Sequence, residues 1–258
     1  MYYIDTHTHT YDEAFRGCED LAIDRAVAAN VRILIQADVD SSERDRMLSL
    51  VNRHPEHLRA MAGLYPGSVD DGWRDEIDLM TEHLDDPLVV AVGEIGLDYH
   101  FSTEFASQQK EAFRTQLEIA ARHNLPVNIH LRDATEDFLK ILEDCRGLGL
   151  RGNLHAYSGS YETFRQVQKY GDWFIGVGGV VTFKNAGIAD VVRKVPIDRI
   201  LLETDAPYLT PVPYRGKRNE SAYIPIIAAK IAELKGMAPE SVANETTRNA
   251  CSLFEISQ

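Results

Sequence analysis

Two histidines at alternate positions, His7 and His9 in "YYIDTHTHTYDEAF", close the first apolar run of the chain. On a β-strand residues i and i+2 face the same way, so the pair projects side by side and can hold one metal ion. His-x-His also arises without any ligand, so other groups have to join it. Glu94 stands late in "VVAVGEIGLD", His130 ends "PVNIH", His155 ends "GNLH" and Asp205 ends "ILLETD". Four imidazoles and two carboxylates suit two divalent cations that share a carboxylate and leave positions open for water and substrate. Nitrogen ligands favour zinc, while the carboxylates would also accept manganese or magnesium.

These groups need a fold that brings the ends of five different strands together. Eight short apolar segments read as strands: "YYID", "RILIQA", "LRAMAGLY", "LVVAVGEIGLD", "LPVNIHL", "RGNLHAY", "DWFIGVGG" and "RILLETDA". Between them run segments of helical period, such as "QQKEAFRTQLEIAARHN", where Phe113, Leu117, Ala120 and Ala121 share a face. "SAYIPIIAAKIAELKG" repeats that pattern and stops at Gly236, and a last helix is expected from about Pro239 to Ile256. Repeated β-then-α units make a parallel sheet with right-handed crossovers. Eight near-equal units in 258 residues favour an α/β fold closed as a (β/α)8 TIM barrel over an open doubly wound sheet, with 1–258 as one domain. In such a barrel the C-terminal strand ends share one mouth, where active sites are built.

Composition narrows the function classes. A formal charge of -13 argues against a general nucleic-acid coat, which gains affinity by releasing counterions through many Lys and Arg contacts. A polyanion would have to be captured locally. The three cysteines, Cys18, Cys145 and Cys251, are isolated and form no CxxC pair, as in a reducing compartment. No apolar run approaches the roughly 18 residues of a membrane helix. A cytoplasmic location without a membrane partner is therefore expected, and no obligatory protein partner is legible.

The ordered motifs "DTHTHTYDEAF", "VGEIGLDYHF", "NIHLRDA", "HAYSGS", "IGVGGVVTFKNA", "LLETDAPYLTP" and "YRGKRNE" closely resemble the TatD family of metal-dependent deoxyribonucleases, within the amidohydrolase-like barrels. The resemblance implies a (β/α)8 barrel that cleaves phosphodiester bonds of DNA with divalent metals. It assigns the metal-ligand positions to His7, His9, Glu94, His130, His155 and Asp205, with Glu94 as the bridging carboxylate. Three departures stand out. Tyr65 in "GLYPG" replaces a frequent family histidine, "NES" replaces Asn-Glu-Pro so that Ser221 can cap the next helix, and "HAYSG" replaces His-Cys-Phe-Ser-Gly.

The mechanism expected is hydrolysis by a metal-activated water, with Asp205 accepting its proton and Glu94 fixing the metal spacing. Phosphate contacts are expected from Arg132, Lys184, Arg215, Lys217 and Arg218, and a substrate contact at Tyr65. Tyr157, Tyr208 and Phe183 are candidates to stack bases. The resemblance implies exonuclease activity, and the small set of cations points to entry of single-stranded or frayed DNA ends. The competing reading is an amide, ester or lactone hydrolase, including one acting on esters of RNA, because the same metals polarise a carbonyl.

Overall fold

The computed structural model describes residues 1–256. Each expected strand forms: β1 (Tyr3–Thr8), β2 (Val31–Gln36), β3 (Leu58–Ala62), β4 (Val89–Asp98), β5 (Val127–Arg132), β6 (Arg151–Leu154), β7 (Asp172–Val177) and β8 (Ile200–Leu202). They pair in parallel in chain order, so every connection is a crossover that returns to the same end of the sheet. The crossovers carry α1 (Glu19–Ala28), α2 (Ser41–Arg53), α3 (Trp73–Thr81), α4 (Ala106–Arg122), α5 (Thr135–Asp144), α6 (Tyr161–Val167) and α7 (Ile188–Lys194). The chain ends in α8 (Ile224–Lys235) and α9 (Pro239–Phe254). This is the TIM barrel that the β-then-α alternation predicts.

The two apolar layers follow from strand alternation. Leu34, Ala60, Val92 and Ile129 pack outward with buried helix residues such as Phe113 and Leu117. Ile4, Ile33, Ile35, Met61, Phe174 and Leu201 form a second cluster, which Leu253 and Phe254 of α9 and the following Ile256 join. Ile4 lies at the start of β1, so α9 plugs the end of the barrel opposite the histidines.

The seam between β1 and β8 is closed by hydrogen bonds rather than by a long ladder. The Asp205 N–H donates to the His7 carbonyl at 2.9 Å and the His9 N–H to the Ala206 carbonyl at 2.8 Å. The buried Asp5 carboxylate accepts from the Thr204 N–H at 2.9 Å and its hydroxyl at 2.5 Å. Burial pushes the Asp5 carboxyl up to about 7, against the hydrogen bonds it receives. The seam therefore carries three of the six expected metal-site residues.

Two strands have an extra residue where the site begins. Asp5 and Thr8 on β1 pair with Leu34 and Gln36 on β2, so three steps on one strand match two on the other. Val92 and Ile95 on β4 pair likewise with Val127 and Ile129 on β5, which puts Glu94 inside the irregularity. Such bulges re-aim a side chain beside an active site.

One expectation is corrected. Ser221 does not cap α8: it opens a separate 3-10 turn, Ser221–Tyr223, and α8 starts at Ile224 with a proline in its first turn and no side-chain cap. Proline fits there because the first helical N–H has no partner within the helix.

Candidate metal centre

Each histidine ring is aimed by what its other nitrogen touches. His7 Nδ1 lies 2.9 Å from Asn128 Oδ1, while the Asn128 amide donates to Asn153 Oδ1 at 3.0 Å. That chain makes Asn128 Oδ1 an acceptor, so His7 carries its proton on Nδ1 and offers the Nε2 lone pair. His9 Nδ1 meets the Tyr11 hydroxyl at 3.1 Å, and that hydroxyl donates to the Ala37 carbonyl at 2.6 Å. His9 Nε2 is thereby also left as an acceptor. These two Nε2 atoms stand 3.1 Å apart. Two lone pairs facing each other at that distance repel unless a positive charge lies between them. Metal–nitrogen bonds of ~2.0–2.1 Å at near-tetrahedral angles put ligand atoms about 3.3 Å apart, so the spacing suits a cation.

Glu94 divides the four imidazoles into two pairs. Its Oε2 lies 3.4 Å from His7 Nε2 and 3.8 Å from His9 Nε2. Its Oε1 lies 2.8 Å from His130 Nδ1 and 3.2 Å from His155 Nε2. Asp205 Oδ1 joins the first pair at 3.5 Å from His7 and 3.6 Å from His9. The donor sets His7/His9/Glu94, His7/His155/Asp205 and Glu94/His130/His155 each lie within 4.8 Å. This donor chemistry, imidazole nitrogens with carboxylate oxygens, fits divalent cations.

The electrostatics agree. Burial alone would raise the Glu94 carboxyl, but the His155 and His7 imidazoles and the His130 hydrogen bond outweigh it and hold Glu94 well below the usual range. Asp205 is likewise lowered: burial opposes its charge, and the facing His9, His155 and His7 imidazoles overcome that. Burial disfavours protonated His155, yet Glu94 and Glu203 hold its pKa well above the ordinary histidine value. His130 is also raised, because Asp98 and Glu94 outweigh the burial penalty. Two ionised carboxylates thus draw positive charge into one small volume, where protons and metal cations compete.

Sequence reasoning missed four groups that orient the rings. Asp98 Oδ2 holds His130 Nε2 at 2.8 Å and turns its Nδ1 toward Glu94. Glu203 Oε1 lies 3.6 Å from His155 Nδ1 and accepts the Ala156 N–H at 2.5 Å. Asn128 and Tyr11 complete the set. A signal was available for Tyr11, since "HTHTY" extends the alternation one step, and for Asp98, which has the strand parity of Glu94. Partners of this kind fix ligand geometry and tune affinity.

Gly96, between Glu94 and Asp98, has φ +144° and pairs with His130. A Cβ there would sit 1.9 Å from the His130 carbonyl oxygen, while L residues are also strained at that φ. Gly96→Ala should therefore destabilise the fold by roughly 3 kcal/mol or more, strain and overpacking combined, and displace His130. Urea denaturation together with zinc titration measures both effects, and a wild-type midpoint would exclude this packing role.

The expected phosphate contacts separate. Arg132 lines both cavities that open beside the histidines, and its guanidinium stands 5.0 Å from the Phe101 ring centre. Arg218 instead donates to the Ala14 carbonyl at 2.6 Å and packs over Phe15, bolting its loop to the turn after β1. Arg215 covers Phe183 at 4.3 Å, and Lys217 lies 5.6 Å from the Tyr214 ring. Lys184 is exposed. Neither Lys184 nor this "YRGKR" trio lines a cavity beside the site. Tyr65 does, with its ring edge-on to His130 at 5.0 Å. Of the stacking candidates, Tyr157 is buried with its hydroxyl donating to Ser160, Phe183 is covered by Arg215, and Tyr208 is 55% exposed at the mouth.

Comparison with known proteins agrees with this geometry. The family described as "TatD related DNase" matches residues 4–255. The chain is 39% identical over 253 residues to the "Uncharacterized metal-dependent hydrolase YabD" of Bacillus subtilis, covering 98% of each chain. It is 34% identical over 249 residues to the "3'-5' ssDNA/RNA exonuclease TatD" of Salmonella typhimurium, covering 94% of this chain and 95% of the relative. Among solved structures, YJJV, a TatD homologue from Escherichia coli, superposes with a TM-score of 0.90 at 30% identity, covering 99% of this chain and 98% of the other.

Proposed function

From a chain that belongs to the TatD-related DNase family, and is therefore a metal-dependent hydrolase, we propose hydrolysis of phosphodiester bonds at the ends of single-stranded DNA, with two divalent cations held at the mouth. The observation that carries this reading is the division of four imidazoles by the two oxygens of Glu94. His7, His9 and Asp205 would hold one cation and His130 and His155 the other, with Glu94 between them. Zinc, manganese and magnesium remain the candidate ions. Bound there, such cations supply Lewis acidity toward a phosphoryl oxygen and acidify water.

The protein's own groups do the rest. Asp205, kept ionised, accepts the proton of the attacking water. Arg132 lines the cleft with its guanidinium over the Phe101 ring, so its fork can hold a non-bridging phosphate oxygen. Phe101, 82% exposed beside it, and Tyr208 offer faces to unpaired bases. A neutral ester, amide or lactone would use the same metals but would give Arg132 no charge to neutralise. The relative from Salmonella typhimurium, named as an exonuclease on single strands, supports the same substrate class.

The test compares methyl p-nitrophenyl phosphate with p-nitrophenyl acetate under added Mn2+, then a linear single strand with a covalently closed duplex. Diester turnover that exceeds ester turnover, with the closed circle resistant, is expected. Turnover confined to the ester, or equal cleavage of the circle, would refute the proposal.

A further inference from the structure

Glu94 sits in the irregular stretch of β4, and the groups that fix its backbone there lie outside the metal centre. The Gly93–Glu94 peptide unit bonds twice to one residue: the Asp38 N–H donates to the Gly93 carbonyl at 3.3 Å, and the Glu94 N–H donates to the Asp38 carbonyl at 3.1 Å. Asp38 follows β2, yet β3 lies between β2 and β4 in the sheet. The contact is therefore made past the end of β3, and Gly63 leaves the room for it. A Cβ on Gly63 would sit 2.7 Å from the Gly93 carbonyl carbon. Asp38 is itself held by a charge. Its Oδ2 accepts from Arg44 Nε at 2.6 Å and from the Gly63 N–H at 3.0 Å, and its Oδ1 accepts from the Val39 N–H at 3.0 Å. The Arg44 guanidinium also donates to the Gly63 carbonyl at 3.3 Å. Arg44 and Asp38 are 2% and 1% exposed, and neither lines the two cavities beside the histidines.

We propose that the buried Arg44–Asp38 pair is a positioning device for Glu94, and that it sets where the two Glu94 oxygens stand between the imidazole pairs. The inference rests on the shared-carboxylate reading of Glu94 and adds what holds that carboxylate in place. A buried ion pair is costly to desolvate, and apolar residues of similar volume often stabilise a core as well or better. Direction is what an apolar pair lacks. The planar guanidinium of Arg44, on α2, fixes Asp38 after β2 and Gly63 after β3 in one orientation, and the Asp38 backbone passes that orientation to β4. Four elements thus meet at one peptide unit. Gly93 tightens the same junction from its other side, since a Cβ there would lie 2.6 Å from Asn128 Cβ, and Asn128 is the residue that aims His7. A shift of Asp38 would move Glu94 against rings that are held independently of it.

The experiment measures zinc affinity by competition with a chromophoric chelator, at a temperature where circular dichroism shows each full-length variant folded. Arg44→Met should lower the affinity by roughly 10- to 100-fold, the range for groups that orient metal ligands, and at both positions because Glu94 faces both. Arg44→Lys keeps a charge opposite Asp38 but cannot reproduce the planar fork, so it should fold and bind zinc with an affinity between the two. Leu253→Ala, in the buried cluster at the opposite end of the barrel, is the control for lost stability: its urea midpoint should fall while its zinc affinity stays at the wild-type value. Electron paramagnetic resonance of the manganese-loaded protein adds a second readout, since two ions joined through one carboxylate are spin-coupled and the Arg44 variants should weaken that coupling. If Arg44→Met does not fold, Arg44→Lys decides. Wild-type zinc affinity and coupling in the folded Arg44 variants, with metal lost in Glu94→Ala, would overturn the positioning role and leave the shared carboxylate standing. Metal retained in Glu94→Ala would remove both. An equal loss of affinity in Leu253→Ala would make the effect one of stability alone and also overturn the proposal.

Discussion

Dialysis against a chelator should reduce hydrolysis of single-stranded DNA to background, and Mn2+, Zn2+ or Mg2+ added back should restore it. The expectation follows from the charges and lone pairs at the mouth. His7 and His9 point bare Nε2 atoms at each other across 3.1 Å, and the carboxylates of Glu94 and Asp205 close on them to 3.4–3.8 Å. Cations bound among these groups would supply the Lewis acidity toward a phosphoryl oxygen that the hydrolysis needs. Glu94→Ala should have nearly as large an effect, because one residue faces both imidazole pairs. Elemental analysis of that variant should show a fall in bound metal at both positions. Chelator-resistant cleavage would remove the metal mechanism, and unchanged metal content in Glu94→Ala would remove the shared-carboxylate geometry.

Asp205→Asn should lose about 10²- to 10⁴-fold in rate, the range for a residue that moves a proton, while keeping most of its metal. The substitution is chosen for the backbone as well as the side chain. Asp205 has φ +55°, in the left-handed region, and its N–H donates to the His7 carbonyl at 2.9 Å across the barrel seam. Asn adopts that conformation readily, so the seam should survive where Ala would strain it. Asn can still offer an oxygen to a cation, but it cannot take up a proton at neutral pH. Metal content by elemental analysis and turnover on a single strand separate the two roles. Near-normal turnover would exclude Asp205 as the base, and loss of metal in step with loss of rate would make it chiefly a ligand.

The sequence by itself determined the barrel and the identity of the groups at its mouth. Alternation of short β-branched runs with segments of helical period is a local property, legible without partners, and it located all eight strands and the long helices α4, α8 and α9. The parallel order then required the C-terminal ends to converge, so His7, His9, Glu94, His130, His155 and Asp205 could be placed at one mouth from their positions along the strands alone. Tertiary structure decided the rest. The extra residues at Asp5–Thr8 and Val92–Ile95 exist only relative to the strands they pair with, and no property of "DTHT" or "VGEI" announces them. His7 is oriented by Asn128, 121 positions away, and His155 faces Glu203 across the β6–β8 side of the barrel. The basic loop "YRGKR" reads as a phosphate site by composition. Arg218, however, is spent on Ala14 and Phe15, and Arg132 alone among the expected cations enters the clefts. Residue type and period are set by neighbours along the chain, whereas ring tautomer, side-chain direction and the partner of a charge are set by barrel closure, which brings together atoms the sequence keeps far apart.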